Sequence, residues 1–320
     1  MKSIAKYSEV EKIISANNKI FIKGKEFYSD EIIFVSKNFE LFNSDNIIYR
    51  YIDKNLEIFN YNKGVFIEIY NNSNHIIQSS TDNNLSLIFD NSSDDTIVYD
   101  LQNHTTINTY DFGKDISIYY HNLVIVTEGF SYTNKNKVSC WDLDKSNNLW
   151  SYTLPEGFTI FGQVQVIDNL LILYAVDNNF DHSKTIALDI NSGNMKWELD
   201  NTIFCQVDTK KKLLLGYAIR RYEVIDPFLG EKIVQKNMMD YYEKGLSPVS
   251  PNNTIANGKL WFVSGRGENV KFGRINIETS EVDFIQDFPL QNDGQLSKPV
   301  FHNGNLYLLD SNNTLHIFEE

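Results

Sequence analysis

Residues 138–150 read VSCWDLDKSNNLW, and residues 185–197 read TIALDINSGNMKW. In both, an acidic residue (Asp142, Asp189) closes an apolar stretch, a polar turn follows, and a tryptophan (Trp150, Trp197) lands eight positions after the acid. The same frame recurs at LEIFNYNKGVFIEI around Asn60, TIVYDLQNHTTINTY around Asp100, YEVIDPFLGEKIV around Asp226, FGRINIETSEVDFI around Asn276 and the terminal TLHIFEE around Glu319. Successive anchors are 40, 42, 47, 37, 50 and 43 residues apart. A period in that range, built of short apolar strands without a 3.6-residue helical periodicity, predicts an all-β chain folded as a β-propeller of four-stranded blades.

The cassette has a physical logic. Gly64, Gly193 and Gly230 stand four residues after their anchors, where a tight hairpin needs positive φ. An anchor oxygen accepts hydrogen bonds from turn amides, which favours Asp and Asn there. The eighth position is apolar in four copies (Trp150, Trp197, Val234, Phe284). In the copies at Asn60 and Asp100 the apolar side chains fall one residue off (Ile67, Ile69, Ile107), so those two turns are expected to differ in length by one residue.

Seven anchors in 320 residues predict seven blades, with six or eight as the alternatives. The last unit, KPVFHNG, NLYLLD and TLHIF, supplies only three strands. An N-terminal strand, either KIFIKG at Ile20 or EIIFVS at Ile33, is therefore expected to complete it and close the ring, removing exposed sheet edges. Residues 1–18 read as a helical or irregular segment, with Ile4, Tyr7, Val10 and Ile14 on one side of a short helix, and residues 19–320 as a single propeller domain.

The cassettes CWDLDKSNNLW and ALDINSGNMKW resemble the repeat of quinoprotein-like (PQQ-like, WD40-like) propellers, whose pattern runs small residue, apolar residue, Asp, turn, Gly, Trp. The resemblance is strongest over residues 138–235 and extends further only through spacing. It implies the blade packing and not the cofactor. The quinone-dependent dehydrogenases of that family are longer, secreted and carry a vicinal cysteine pair, whereas Cys140 and Cys205 stand 65 residues apart. No cofactor is expected. Nor does the chain open with the signal peptide or lipid-anchored cysteine of the family's envelope lipoproteins.

Composition points to a cytoplasmic protein, most simply a monomer. No apolar run approaches the ~20 residues of a membrane span, and MKSIAKYSEVEKIISANNK carries Glu9 and Glu11 where a secretory signal would be apolar. Two unpaired cysteines fit a reducing compartment. Richness in Asn and Ile suggests an AT-rich bacterial genome. The net charge of −13 argues against nucleic acid, whose binders concentrate positive charge. It suits electrostatic attraction of a basic protein.

Long loops on a rigid scaffold are where function is usually placed. Sorted by blade position, the connections SYTNKNK, DNNFDHSK and GRGENVK, between second and third strands, open on the same face as NMMDYYEKGLSPVSPNN and DFPLQNDGQLS, which join one blade to the next. In this sector Tyr241 and Tyr242 on the longest loop, together with Arg220, Arg221 and Arg266, have the character of interface hot spots, and Asp177 and Glu268 add acidic contacts. The expected function is non-enzymatic protein binding, in its most pointed form immunity against a basic toxin. The alternative is a carbohydrate-active enzyme or glycan binder using Asp177, Glu243, Glu268 and Asp287. Asp177, Asp181 and His182 form a loop cluster of metal-ligating types, and Asp142 with Asp144, and Asp90 with Asp94 and Asp95, resemble fragments of calcium loops. Turn chemistry accounts for these groups, and no metal site is expected.

Overall fold

The computed structural model describes residues 1–16, 19–23, 32–35, 41–44, 47–52, 55–60, 65–70, 75–80, 85–90, 93, 95–100, 103, 105–110, 116–129, 135–162, 164–248 and 252–320. These residues form two compact units, one of Ile14–Pro155 and one of Met1–Ile13 with Glu156–Glu320. The architecture is nearly all β, in sheets of mostly sequential, mostly antiparallel strands.

In the second unit, one sheet runs Phe158–Ile160 with Gln165–Ile167, Leu170–Asp177, Ser183–Asp189 and Met195–Asp200. Next come Gln206–Asp208, Leu213–Ala218, Arg221–Asp226 and Glu231–Asn237, then Thr254–Ala256, Lys259–Ser264, Lys271–Asn276 and Glu281–Asp287. The last sheet is Val300–His302, Asn305–Leu309, Thr314–Glu319 and, from the start of the chain, Lys2–Ser8. Second and third strands are apolar runs because both their faces are covered, as in LLILYAVD and LLLGYA. Outer strands alternate, as in EKIVQKN and EVDFIQD, because one face meets solvent.

Each apolar cluster belongs to two consecutive sheets. Leu215, Tyr217, Tyr222 and Val224 pack on Leu260, Phe262 and Ile275, while Trp261, Val263 and Phe272 pack on Leu306, Leu308 and Phe318. Side chains of the innermost strands stitch the same neighbours together. Gln165 Nε2 donates to the Cys205 carbonyl (2.7 Å), Gln206 Nε2 to that of Asn253 (2.6 Å) and Thr254 Oγ1 to that of Pro299 (2.6 Å). In the unit Ile14–Pro155, Leu87 and Val98 of the sheet His75–Tyr110 likewise meet Val124, Val126 and Leu143 of the sheet Ile116–Thr153. Cys140 and Cys205 are free and buried, and burial pushes the Cys140 thiol up to about 12 and raises that of Cys205 as well.

The cassette is a turn with a bulge behind it. Asp189 Oδ1 accepts the amides of Asn191 and Ser192 (both 3.1 Å), and Asp226 Oδ1 those of Phe228 (2.8 Å) and Leu229 (3.1 Å). Asp142 repeats this with Asp144 and Lys145, and Asn276 with Glu278. The fourth residue after the anchor has positive φ whether it is glycine or not: Gly193 (70°), Gly230 (68°), Ser146 (52°) and Ser280 (57°). Gly64 lies outside the described residues. Beyond the turn Cys140 faces Trp150, Ala187 faces Trp197, Val224 faces Val234 and Arg274 faces Phe284, each pair adjoining a register shift. That shift keeps the eighth residue on the covered face.

Several expectations are corrected. The turns at Asn60 and Asp100 have the standard length, since Asn60 faces Val65 and Asp100 faces Thr105 as Asp142 faces Asn147. At Asn60 the register shift sits further back, beside Leu56, so Ile58 faces Ile67. At Asp100 the shift is in place, but the eighth residue is Asn108, within the exposed residues 105–109. The strand completing the last sheet is Lys2–Ser8, with Lys2 opposite Glu319 and Ser8 opposite Thr314, and not Ile20 or Ile33. Those two residues instead pair with each other's strands, Lys19–Lys23 running parallel to Ile32–Val35 with Ile20 opposite Ile32. The completing strand is the outer one of its sheet and mostly exposed, so apolarity does not mark it in the sequence. In place of the expected N-terminal helix over Ile4, Tyr7, Val10 and Ile14 stand two strands, Lys2–Ser8, with Ala5 and Tyr7 half-buried on one side, and Lys12–Ala16, which carries Ile14. Among the described residues the strands form eight sheets, beside the seven blades, with six or eight as alternatives, that the anchors predict. The additional one is the three-stranded sheet of Lys12–Ala16, Lys19–Lys23 and Ile32–Val35, a stretch with no anchor.

Candidate functional site

Within the unit Met1–Ile13 with Glu156–Glu320, the anchor turns lie at one edge of the sheets, and the long connections that carry the candidate residues lie at the other. Three structures occupy that second edge.

The first is the connection after Asn237. Met238, fully buried, is held by its amide on the Arg220 carbonyl (2.8 Å), and its own carbonyl receives the amides of Tyr241 (3.1 Å) and Tyr242 (3.0 Å), starting the short helix Met239–Glu243. Tyr241 packs against the core cluster of Tyr217 and Phe262. Tyr242 stays half-exposed with the Arg220 guanidinium stacked 4.7 Å from its ring centroid. The sequence thus placed both tyrosines on one loop, and the structure divides them between core and surface.

The second is a depression of about 420 Å³ lined by Phe161, Tyr174, Phe180, Asp181, Ser183 and Arg221 among others. The turn after Asp177 builds one wall. Asp177 takes the Asp181 amide on its side chain (2.8 Å) and the Phe180 amide on its carbonyl (3.0 Å), and its own amide donates to the His182 carbonyl (2.9 Å). Phe180 is held at φ 61° with 66% of its surface exposed. A left-handed backbone at a bulky residue costs roughly 1–2 kcal/mol. The break between Phe158–Ile160 and Gln165–Ile167 supplies the other wall, where Phe161 lies 5.8 Å from Phe180 and 6.1 Å from Tyr174, the ring planes nearly perpendicular to both. Arg221 forms the floor, its Nε 3.3 Å from Glu223, whose fully buried carboxylate also meets Lys232 Nζ (3.1 Å), Gln235 Nε2 (3.2 Å) and the Ile203 amide (3.0 Å). Arg221 is therefore half of a buried charge network as well as a surface group. Phe161 and Phe180 went unnoticed in the sequence. The one signal for Phe180 is an aromatic residue stranded in the polar run DNNFDHS.

The third is a wide, shallow depression of about 710 Å³ where the loop Gly265–Val270 meets residues 289–293. Gly267 donates to the Gly294 carbonyl (2.7 Å) and accepts the Leu290 amide (2.9 Å), fastening the two connections together. Gly265, at φ 77°, is required because a Cβ there would stand 2.2 Å from the Asn269 carbonyl oxygen. Arg266 and Glu268 line this depression together with Asn292 and Asp293.

The structure so brings Arg220 to Tyr242, Arg221 to the turn of Asp177, and Arg266 to Glu268. The four carboxylates weighed for glycoside chemistry fall on four different segments: Asp177 on its turn, Glu243 at the end of the helix, Glu268 in a 3₁₀ turn, and Asp287 at a strand end in an ion pair with Lys271. Among the described residues no group of three or more His, Cys, Asp or Glu side chains could hold a metal ion. The Asp142 side chain serves its own turn and Lys145, which holds its carboxyl below the ordinary carboxylate value. Asp94 lies outside the described residues.

No protein-family model matches the chain, and no curated protein sequence is significantly similar to it. Solved structures are similar in fold. The crystal structure of BamB from Moraxella catarrhalis superposes with a TM-score of 0.57 at 10% identity, covering 100% of this chain and 97% of that one. KlHsv2 with loop 6CD replaced by a Gly-Ser linker gives 0.54 at 12% identity, over 86% of this chain and 88% of that one. These likenesses carry the fold, a β-propeller.

Proposed function

We propose that this chain is a non-enzymatic cytoplasmic β-propeller that binds a protein partner through the loop edge of the unit Met1–Ile13 with Glu156–Glu320. The observation that carries this reading is the set of rigidly held, solvent-facing aromatic and arginine side chains on that edge: the stacked Arg220 and Tyr242, the exposed Phe161 and Phe180, and Arg266 over its depression. Aromatic residues and arginine dominate interface energetics because they bury much area at low entropic cost. A net charge of −13 favours a basic partner. An immunity protein against a basic toxin has this chemistry.

The test is capture of partners from native extract on tagged protein at low and high salt, identified by mass spectrometry. One stoichiometric basic protein is expected, released by salt and lost with Arg220→Glu or Tyr242→Ala while the fold persists. Retention that ignores both variants, with no basic protein in it, refutes the reading.

A further inference from the structure

We infer that the depression between Phe161, Tyr174, Phe180 and Asp181 is a cation receptor that takes an arginine or lysine side chain of the partner, an inference that rests on the protein-binding reading above and names its anchor point. Three observations converge on it.

Exposed aromatic surface comes first. Phe180 and Phe161 are 66% and 38% exposed, yet each is fixed against a neighbouring ring, at 5.8 Å between the two and 6.1 Å from Phe161 to Tyr174. Rings meeting at 87° and 75° give the depression aromatic walls in more than one direction, and an aromatic face attracts a cation within about 6 Å of its centroid.

Charge comes second. Asp181 and Arg221 are the charged residues that line the depression, and behind them Asp177 accepts the Asp181 amide while Glu223 meets Arg221 and Lys232, three carboxylates against two cations. Both cations are thus already engaged. Among the described residues no lysine or arginine pairs with Asp181, so the rim carries a carboxylate without a counter-charge. An anionic ligand would meet the Asp181 carboxylate and an arginine that already shares the Glu223 carboxylate with Lys232. An apolar side chain would desolvate the Asp181 carboxylate with nothing in return.

Conformation comes third. Phe180 is kept in a left-handed backbone by three hydrogen bonds around Asp177, a conformation that a glycine or asparagine would adopt more easily. Strain of this kind collects where a side chain must be presented. The depression, about 420 Å³, admits one long side chain with its hydration.

The probes are the capped peptides Gly-Arg-Gly and Gly-Lys-Gly, with Gly-citrulline-Gly as the neutral isostere of the first. They are titrated into the full chain while the ring resonances of isotope-labelled phenylalanine are followed. The cationic peptides are expected to shift the Phe161 and Phe180 signals saturably, the citrulline peptide at least tenfold more weakly. Phe180→Ala and Asp181→Asn should each weaken the arginine peptide at least fivefold, and Glu278→Gln, a charge removed at the opposite edge, should not. Equal response to arginine and citrulline, or no response at either ring, overturns the inference. A captured basic partner that binds Phe180→Ala as tightly as the parent chain also overturns it, while leaving the loop-edge reading intact. Saturable arginine binding at these rings with no protein captured does the reverse: the receptor stands and the protein-partner reading falls.

Discussion

The two edges of the sheets in the unit Met1–Ile13 with Glu156–Glu320 are built on opposite rules. At the anchor edge, the turns after Asp189, Asp226 and Asn276 repeat one design: a side-chain oxygen on the next amides, positive φ at the fourth residue, and a register shift beyond. At the loop edge no two connections agree. Asp177 to Ser183 is a tight turn thrusting out a strained phenylalanine, Ile219 and Arg220 form a bare hairpin, and Gly265–Val270 is a 3₁₀ turn locked to another loop. Repetition marks what the fold demands of every sheet. Departure from it, held by as many hydrogen bonds, marks what the fold leaves to other uses.

The strongest way to break this contrast is to damage the repeated edge. Trp197 packs in the core cluster with Ala187 and Ile225, and its indole donates to the Pro227 carbonyl at 2.7 Å. Trp197→Ala should destabilise by about 3 kcal/mol in denaturant titration. A loss below about 1 kcal/mol would mean that the cassette is ornamental. Gly230 lies directly under that indole, where a Cβ would stand 2.4 Å from Trp197 Cγ at a backbone φ of 68°. Gly230→Ala should cost about 2–3 kcal/mol from strain and overpacking together. Because one contact underlies both losses, the double variant should lose clearly less than their sum.

That same contact explains what the sequence disclosed. Asp189, Gly193 and Trp197 are legible because an Asx turn, a left-handed residue and a covered strand face each restrict the residue type locally. Lys2–Ser8 was not legible as a strand of the last sheet. Its partner Thr314–Glu319 lies some three hundred residues away, and its outer position leaves a mostly polar pattern. Phe161 was hidden for a related reason: nothing in the run FTIFGQVQVI announces that the first strand breaks there and that Phe161 meets Tyr174, which in turn meets Phe204. Of the candidate residues, Arg220 and Tyr242 stand out by their place in the sequence, but their stacking follows from the buried Met238 that ties the two connections. Asp208 caps Lys210 and Lys211 by the same Asx chemistry in a different hairpin, outside the cassette and so unseen.

A smaller effect sharpens the account of the anchor. Burial pushes the Asp189 carboxyl up, but Lys196 at 3.1 Å and the amides of Asn191 and Ser192 more than offset this and hold it below the ordinary carboxylate value. A depressed carboxylate stabilises the fold above its unfolded pKa of about 3.9, and that contribution fades as pH falls through the lower folded value. Asp189→Asn should therefore cost about 1 kcal/mol near neutrality. The gap from the parent chain should narrow in urea titrations run from pH 6 down to pH 3. A gap that stays constant over that range would assign the anchor's role to shape alone and not to charge.

The finest test sets the two edges side by side through one substitution. Ser280, fourth after Asn276, and Phe180, on the loop edge, occupy nearly the same left-handed backbone, at φ 57° and 61°. Glycine relieves a cost of roughly 1–2 kcal/mol at either site and returns part of it as unfolded-chain entropy of about 0.4–1 kcal/mol. Ser280→Gly and Phe180→Gly should each gain about 0.5 kcal/mol, read as a slightly higher thermal midpoint. Their consequences should then part. Ser280→Gly makes its turn more like those of Gly193 and Gly230 and should leave partner and arginine-peptide binding unchanged, whereas Phe180→Gly removes an exposed ring and should weaken both. If Phe180→Gly gains stability and binds as before, the strain at that turn serves nothing at the surface, and the loop edge differs from the anchor edge only by drift.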